Sequence, residues 1–109
     1  MPFEFVFEDM EPSETTHTFD GELWFGNQRI WGPASCHESA STLADIINKT
    51  DPRFTLRLTK ADPEEYYHKH YMTLKSGSDV LLKDVSVIDN MIDLADAIRK
   101  AQAQPRPGQ

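Results

Sequence analysis

Hydrophobic and polar positions alternate from the start of the chain. Phe3, Phe5 and Phe7 are separated by Glu4, Val6 and Glu8, the period of two that marks a strand with one buried face. Residues 9–20 are polar and interrupted by Pro12, which predicts a loop closing in a short strand at most. Glu22 to Trp31 then reads as a hairpin turning at Gly26-Asn27, with glycine first as a type II′ turn prefers. A two-residue turn pairs Phe25 with Gln28, Trp24 with Arg29, Leu23 with Ile30 and Glu22 with Trp31. On that register Leu23, Phe25 and Ile30 share one face, and Trp24, Arg29 and Trp31 share the other.

The period then lengthens. Ser35-Cys36-His37-Glu38 fits a capping box, and Cys36, Ala40, Leu43 and Ile47 follow on one helical stripe with Ile46 beside it. Asp51-Pro52 ends that helix. Phe54, Leu56 and Leu58 alternate with Arg53, Thr55, Arg57 and Thr59 as another half-buried strand. Asp62-Pro63-Glu64-Glu65 carries the signs of a helix start, while Tyr66 to Tyr71 fits a short helix or a strand equally. Met72–Lys75 and Asp79–Lys83 flank Ser76-Gly77-Ser78 as a second hairpin. Ser86 to Asp89 caps a last helix with the stripe Ile88, Met91, Ile92, Ala95 and Ile98. No internal repeat is read along the chain, and residues 104–109, with two prolines and a glycine, are expected to be disordered. Strands in runs with isolated helices between them predict a single α+β domain over residues 1–103. Its sheet is mostly antiparallel and both main helices pack on one face, since each strand has one apolar side.

Composition adds bounds. A chain of 109 residues with 39% hydrophobic and 27% charged residues can bury one core. A single cysteine, Cys36, excludes an internal disulfide framework and a cysteine-based zinc site, and fits a reducing compartment. No apolar run approaches the roughly 20 residues of a membrane span, and the first residues lack the basic segment of a signal peptide, so a cytoplasmic location is expected. The net charge of −7 is unevenly placed: Glu4, Glu8, Asp9, Glu11, Glu14, Asp20 and Glu22 precede residue 29 with no Lys or Arg among them, while acids and bases cancel afterwards. This disfavours direct binding to nucleic acid and permits a protein partner with a basic surface.

Candidate chemistry is sparse. His68 and His70 would point the same way on a strand and diverge by about 200° on a helix, but two histidines are half a metal site at most. Cys36 and His37 are neighbours that a helix would splay by about 100°, too far apart to act as nucleophile and base. Nucleotide-binding glycine loops, zinc-protease motifs and nucleophile elbows are absent. No catalytic residue, cofactor or metal is assigned. The last helix carries Asp89, Asp93 and Asp96 on its outer side, a solvated face. The most suggestive surface is Trp24, Arg29 and Trp31, because tryptophan and arginine dominate interface hot spots.

The alternating first strand, the hairpin Gly21-Glu22-Leu23-Trp24-Phe25-Gly26-Asn27, the helix Ser41-Thr42-Leu43-Ala44-Asp45-Ile46-Ile47 and the acidic surface together resemble the small immunity proteins that accompany bacterial polymorphic toxins, including those of contact-dependent inhibition. The resemblance covers about residues 3–60 and lies in layout, so no functional residue is carried over. It implies a cytoplasmic, non-enzymatic protein that neutralises a cognate toxin, often a basic nuclease. Glu8, Asp9, Glu11, Glu14, Asp20 and Glu22, with Trp24, Arg29 and Trp31, are the expected partner-binding residues. A phage-encoded inhibitor or a structural homodimer subunit would fit the same features, and the chain is expected to be a monomer or homodimer.

Overall fold

The computed structural model describes residues 2–37 and 39–103; the expected C-terminal tail and Glu38 of the expected capping box lie outside them. Strand β1 runs Phe3–Phe25, β2 Gln28–Cys36, helix α1 Ala40–Thr50, β3 Phe54–Ser76, β4 Asp79–Val87 and helix α2 Asn90–Ala103. The four strands form one antiparallel sheet in the order β2-β1-β3-β4, the expected α+β class.

Two expectations change. The polar stretch 9–20 is strand rather than loop, and Asp62–Glu65 is strand rather than a helix start, with Tyr66–Tyr71, open between the two, also strand. Each joins its flanking segments into one continuous strand of 23 residues. Thr15, Thr16 and Thr18 on β1 and Tyr66, Tyr67 and Tyr71 on β3 supply β-favouring side chains. The prolines are accommodated by irregularities. The β1–β3 register shifts between Asp9 and Ser13 and again between His17 and Phe19, which leaves Pro12 and Pro63 outside the paired residues. Bulges and unpaired edges are where a strand tolerates proline. These shifts also bend the sheet. A straight strand of this length would span about 75 Å, whereas the longest dimension of the molecule is 46 Å. Phe3 and Phe54 sit at opposite ends of the ladder, opposite Ser76 and Phe25, yet their rings meet at 6.1 Å. The sheet curls until its ends touch.

The element order is one ββα unit followed by another, and adding 51 to a residue number carries the first onto the second. Phe3 maps onto Phe54, Pro12 onto Pro63, Glu14 onto Glu65, His17 onto His68, Leu23 onto Leu74, Gly26 onto Gly77, and Leu43-Ala44-Asp45 onto Leu94-Ala95-Asp96. The repeat that the sequence reading did not find is present. Antiparallel pairing of β1 with β3 relates the units by a pseudo-twofold axis through the centre of that ladder.

Both helices lie on the concave face. Phe3, Leu23, Phe54, Leu56, Met72 and Leu74 from the sheet form one core with Leu43 and Ile47 of α1 and Met91, Leu94 and Ile98 of α2. The α1 stripe is as expected from Ala40 onward, but Cys36 closes β2 and is buried there instead of opening the helix.

Candidate functional site

The hairpin register differs from expectation beyond its tip. Phe25 opposes Gln28 and Trp24 opposes Arg29, but Leu23 opposes Trp31 and Gly21 opposes Ala34. Ile30 is an extra residue on β2, and Gly32-Pro33 sets two residues against Glu22. Gly32, at φ 96°, rests against the Gly21 carbonyl oxygen, where a side chain would collide. The extra Ile30 swings Trp31 to the concave side, where it packs on the core. The proposed Trp24/Arg29/Trp31 face is therefore divided. Trp24 stays on the convex side, its ring 4.6 Å from the Arg57 guanidinium, and Arg29 pairs with Glu22 at 2.8 Å.

The early acids are redistributed in the same way. Glu22 is held by Arg29, Glu4 stands opposite Lys75 on β3, and Asp9 lies 3.4 Å from His70. Glu8 and Glu14 remain exposed on the convex side of β1, where Tyr71 and Tyr67 of β3 are their direct cross-strand partners. Those tyrosines are 39% and 51% exposed, the only large aromatic residues so exposed among the described ones. Strand pairing sets Glu65 opposite Thr16, diagonal to Glu14, and Glu64 opposite His17, while Glu11 and Asp62 fall in the two separate irregularities of the ladder. The central ribbon thus carries acids from both of its strands, and the chain's first quarter contributes only part of them. Lys69, within the ribbon, is 3.5 Å from Asp89.

On the concave side the ribbon carries histidines. His68 and His70 do share a strand face, as two residues apart on a strand must, but they serve different clusters. His70 Nε2 meets Asp89 Oδ1 at 2.8 Å, and this partner holds the Asp89 carboxyl below the usual range. His68 joins His17 of β1 and His37 of the β2–α1 connection, with ring centroids 5.6, 5.7 and 6.0 Å apart. Tyr66 closes the group, 5.1 Å from the His17 ring; its hydroxyl donates to Glu64 and meets the Ser35 hydroxyl. His17 is 3% exposed, and neither of its ring nitrogens has a hydrogen-bond partner; His68 Nε2 lacks one too. Burial, aided by the charges of His37 and His68, pushes the His17 pKa down to about 4, and burial lowers that of His68. These imidazoles form the polar end of a cavity of about 170 Å³, otherwise lined mainly by apolar residues including Leu43, Met72, Leu82 and Met91. Sequence reasoning missed His17 and His37. The one available signal was the 51-residue spacing of His17 and His68.

Cys36 is buried, and burial pushes its thiol up to about 11, so it is inert, as expected of a packing residue. No helix among the described residues is long and apolar enough to cross a membrane. Comparison with protein-family models, with curated proteins and with solved structures returns no match.

Proposed function

We propose that this chain is a non-enzymatic binding protein of the inhibitor or immunity type, which recognises a basic protein partner through the convex face of its central ribbon. The observation that carries this reading is the ribbon itself. Glu8, Glu14 and Glu65 flank exposed Tyr67 and Tyr71, and Glu11 and Asp62 extend the field from the two irregularities. The basic group at its centre, Lys69, lies beside Asp89. Tyrosine supplies contact area at low entropic cost, while clustered carboxylates speed and select encounter with a cationic surface. Trp24, Arg29 and Glu22 lie further along the convex face and extend the contact, whereas Trp31 belongs to the core and leaves it.

The test separates the two contributions. The partner is captured from the cells of origin and its binding followed by stopped flow across ionic strengths. Changing Glu8, Asp9, Glu11 and Glu14 together to Ser slows association and flattens its salt dependence with the fold intact, while Tyr67→Ala chiefly speeds dissociation. Unaltered association kinetics in the quadruple variant would remove the ribbon from the account.

A further inference from the structure

We propose that the cavity on the concave face binds a small amphipathic monocarboxylate, with its carboxylate against His17 and His68 and its apolar body among Leu43, Met72, Leu82 and Met91. Four observations point to this class. His17 is nine-tenths buried and more, lines the cavity, and offers two ring nitrogens without a well-formed hydrogen bond, the Cys36 backbone being a weak polar neighbour; His68 offers a third. A buried polar group without a partner is costly, so a ligand that supplies one gains affinity from the deficit. No carboxylate is found among the described residues lining the cavity. The first turn of α1 borders the same space through Ser39, Ala40 and Thr42, so the positive end of the helix dipole faces it. The volume, about 170 Å³, compares with the roughly 150 Å³ that admits benzene in an engineered apolar cavity, which suits a body of about six carbons.

A metal ion fits less well. Among the described residues no group of three or more His, Cys, Asp or Glu side chains is arranged to hold one. His37 Nδ1 accepts a hydrogen bond from the Ser39 amide at 3.3 Å, which places the proton of the neutral ring on Nε2 and removes that lone pair from coordination.

Carboxylate binding is expected to take up a proton. A carboxylate beside an imidazole favours its charged form, and His17 is neutral at pH 7 in the empty cavity. The groups facing His17 are His37, His68 and Tyr66, with Glu64 one hydrogen bond beyond Tyr66. Affinity therefore falls as pH rises above about 4 toward the pKa that His17 adopts in the complex, by at most about tenfold per unit for one coupled proton.

The full chain is titrated with hexanoate, with 1-hexanol as the uncharged equivalent of the same body, and with zinc, using calorimetry and imidazole NMR shifts. Hexanoate is expected to saturate one site per chain and to bind at least about tenfold more tightly than hexanol. His17→Leu and His68→Leu are each expected to weaken hexanoate about tenfold while leaving hexanol binding and the melting temperature undiminished. The proposal is overturned by absence of saturable hexanoate binding, by equal affinity for hexanol, by insensitivity to both substitutions in folded protein, or by stoichiometric zinc held on the same histidines.

Discussion

Lowering the pH from 7 to 5 should destabilise this protein through one buried side chain. His17 has a pKa near 6.5 in the unfolded chain and about 4 in the folded one, so the folded state binds fewer protons. The neutral ring's advantage is fully present above pH 6.5 and is lost as pH falls toward 4. Integrating the linkage relation between those two values, stability falls by roughly 2 kcal/mol between pH 7 and pH 5. His68 is shifted in the same direction and adds to the loss. The window isolates imidazoles. Asp51, held down to about 2 by its hydrogen bonds from Arg53, and Asp89, held down by His70, lose their contribution mainly below their ordinary value of 3.8. The assay is urea unfolding followed by fluorescence at half-unit steps of pH, comparing the parent with His17→Leu. The variant should lose most of the slope, exceed the parent by roughly 2 kcal/mol at pH 5 and be no less stable at pH 7, since it also removes two unsatisfied buried nitrogens. A parent whose stability stays level between pH 7 and 5, or a variant with the parent's slope, would refute the reasoning.

Two further outcomes concern packing. A Cβ at Gly21 would lie 2.6 Å from Cys36 Sγ and 3.5 Å from the Trp31 ring, so Gly21→Ala should cost about 1–3 kcal/mol. Cys36→Ala in the same chain should recover much of that loss, and strict additivity in a double-mutant cycle would show that the two residues do not touch. Arg57→Ala removes the guanidinium from over Trp24 and should cost about 0.5–1 kcal/mol; a tryptophan emission spectrum identical to the parent's would place the arginine elsewhere.

The sequence announced its elements where apolar period and turn chemistry agreed. Phe3–Phe7 and the Gly26-Asn27 turn lie where their patterns put them, as do the helix stripes from Ala40 and from Met91 onward, although Cys36 and Ile88 precede their helices and Leu94, unread in the stripe, is fully buried. It misled where local polarity argued against structure. Residues 9–17 and 61–69 are polar because the sheet there is only two strands wide and largely wet, since β2 pairs with β1 only from Phe19 and β4 with β3 only from His70. A solvated ribbon has no apolar alternation to detect, and its prolines read as breaks. The hairpin register failed for another reason. Turn length fixes pairing only until the first bulge, and the extra residue Ile30 makes one that moves Trp31 across the sheet. The repeat escaped because Trp24, Phe25 and Trp31 of the first unit are Lys75, Ser76 and Leu82 in the second, so likeness survives mainly at glycine, proline, histidine and the helix stripe. The histidine cluster was illegible because it joins three segments that only the β1–β3 ladder and the β2–α1 connection bring together.

The Phe3 amide donates to Gln102 Oε1 at 2.8 Å, and the same Gln102 reaches Asp51 at the junction of the two units. Phe3, Asp51 and Gln102 therefore share one locality, and which of these connections is severed is a matter of convenience. A circular permutant that joins Ala103 to Phe3 through a short flexible linker and opens at Asp51-Pro52 would begin with the second unit and keep every strand neighbour. Such a rearranged polypeptide should fold to the same shape, as a molecule assembled from two interchangeable arms would require.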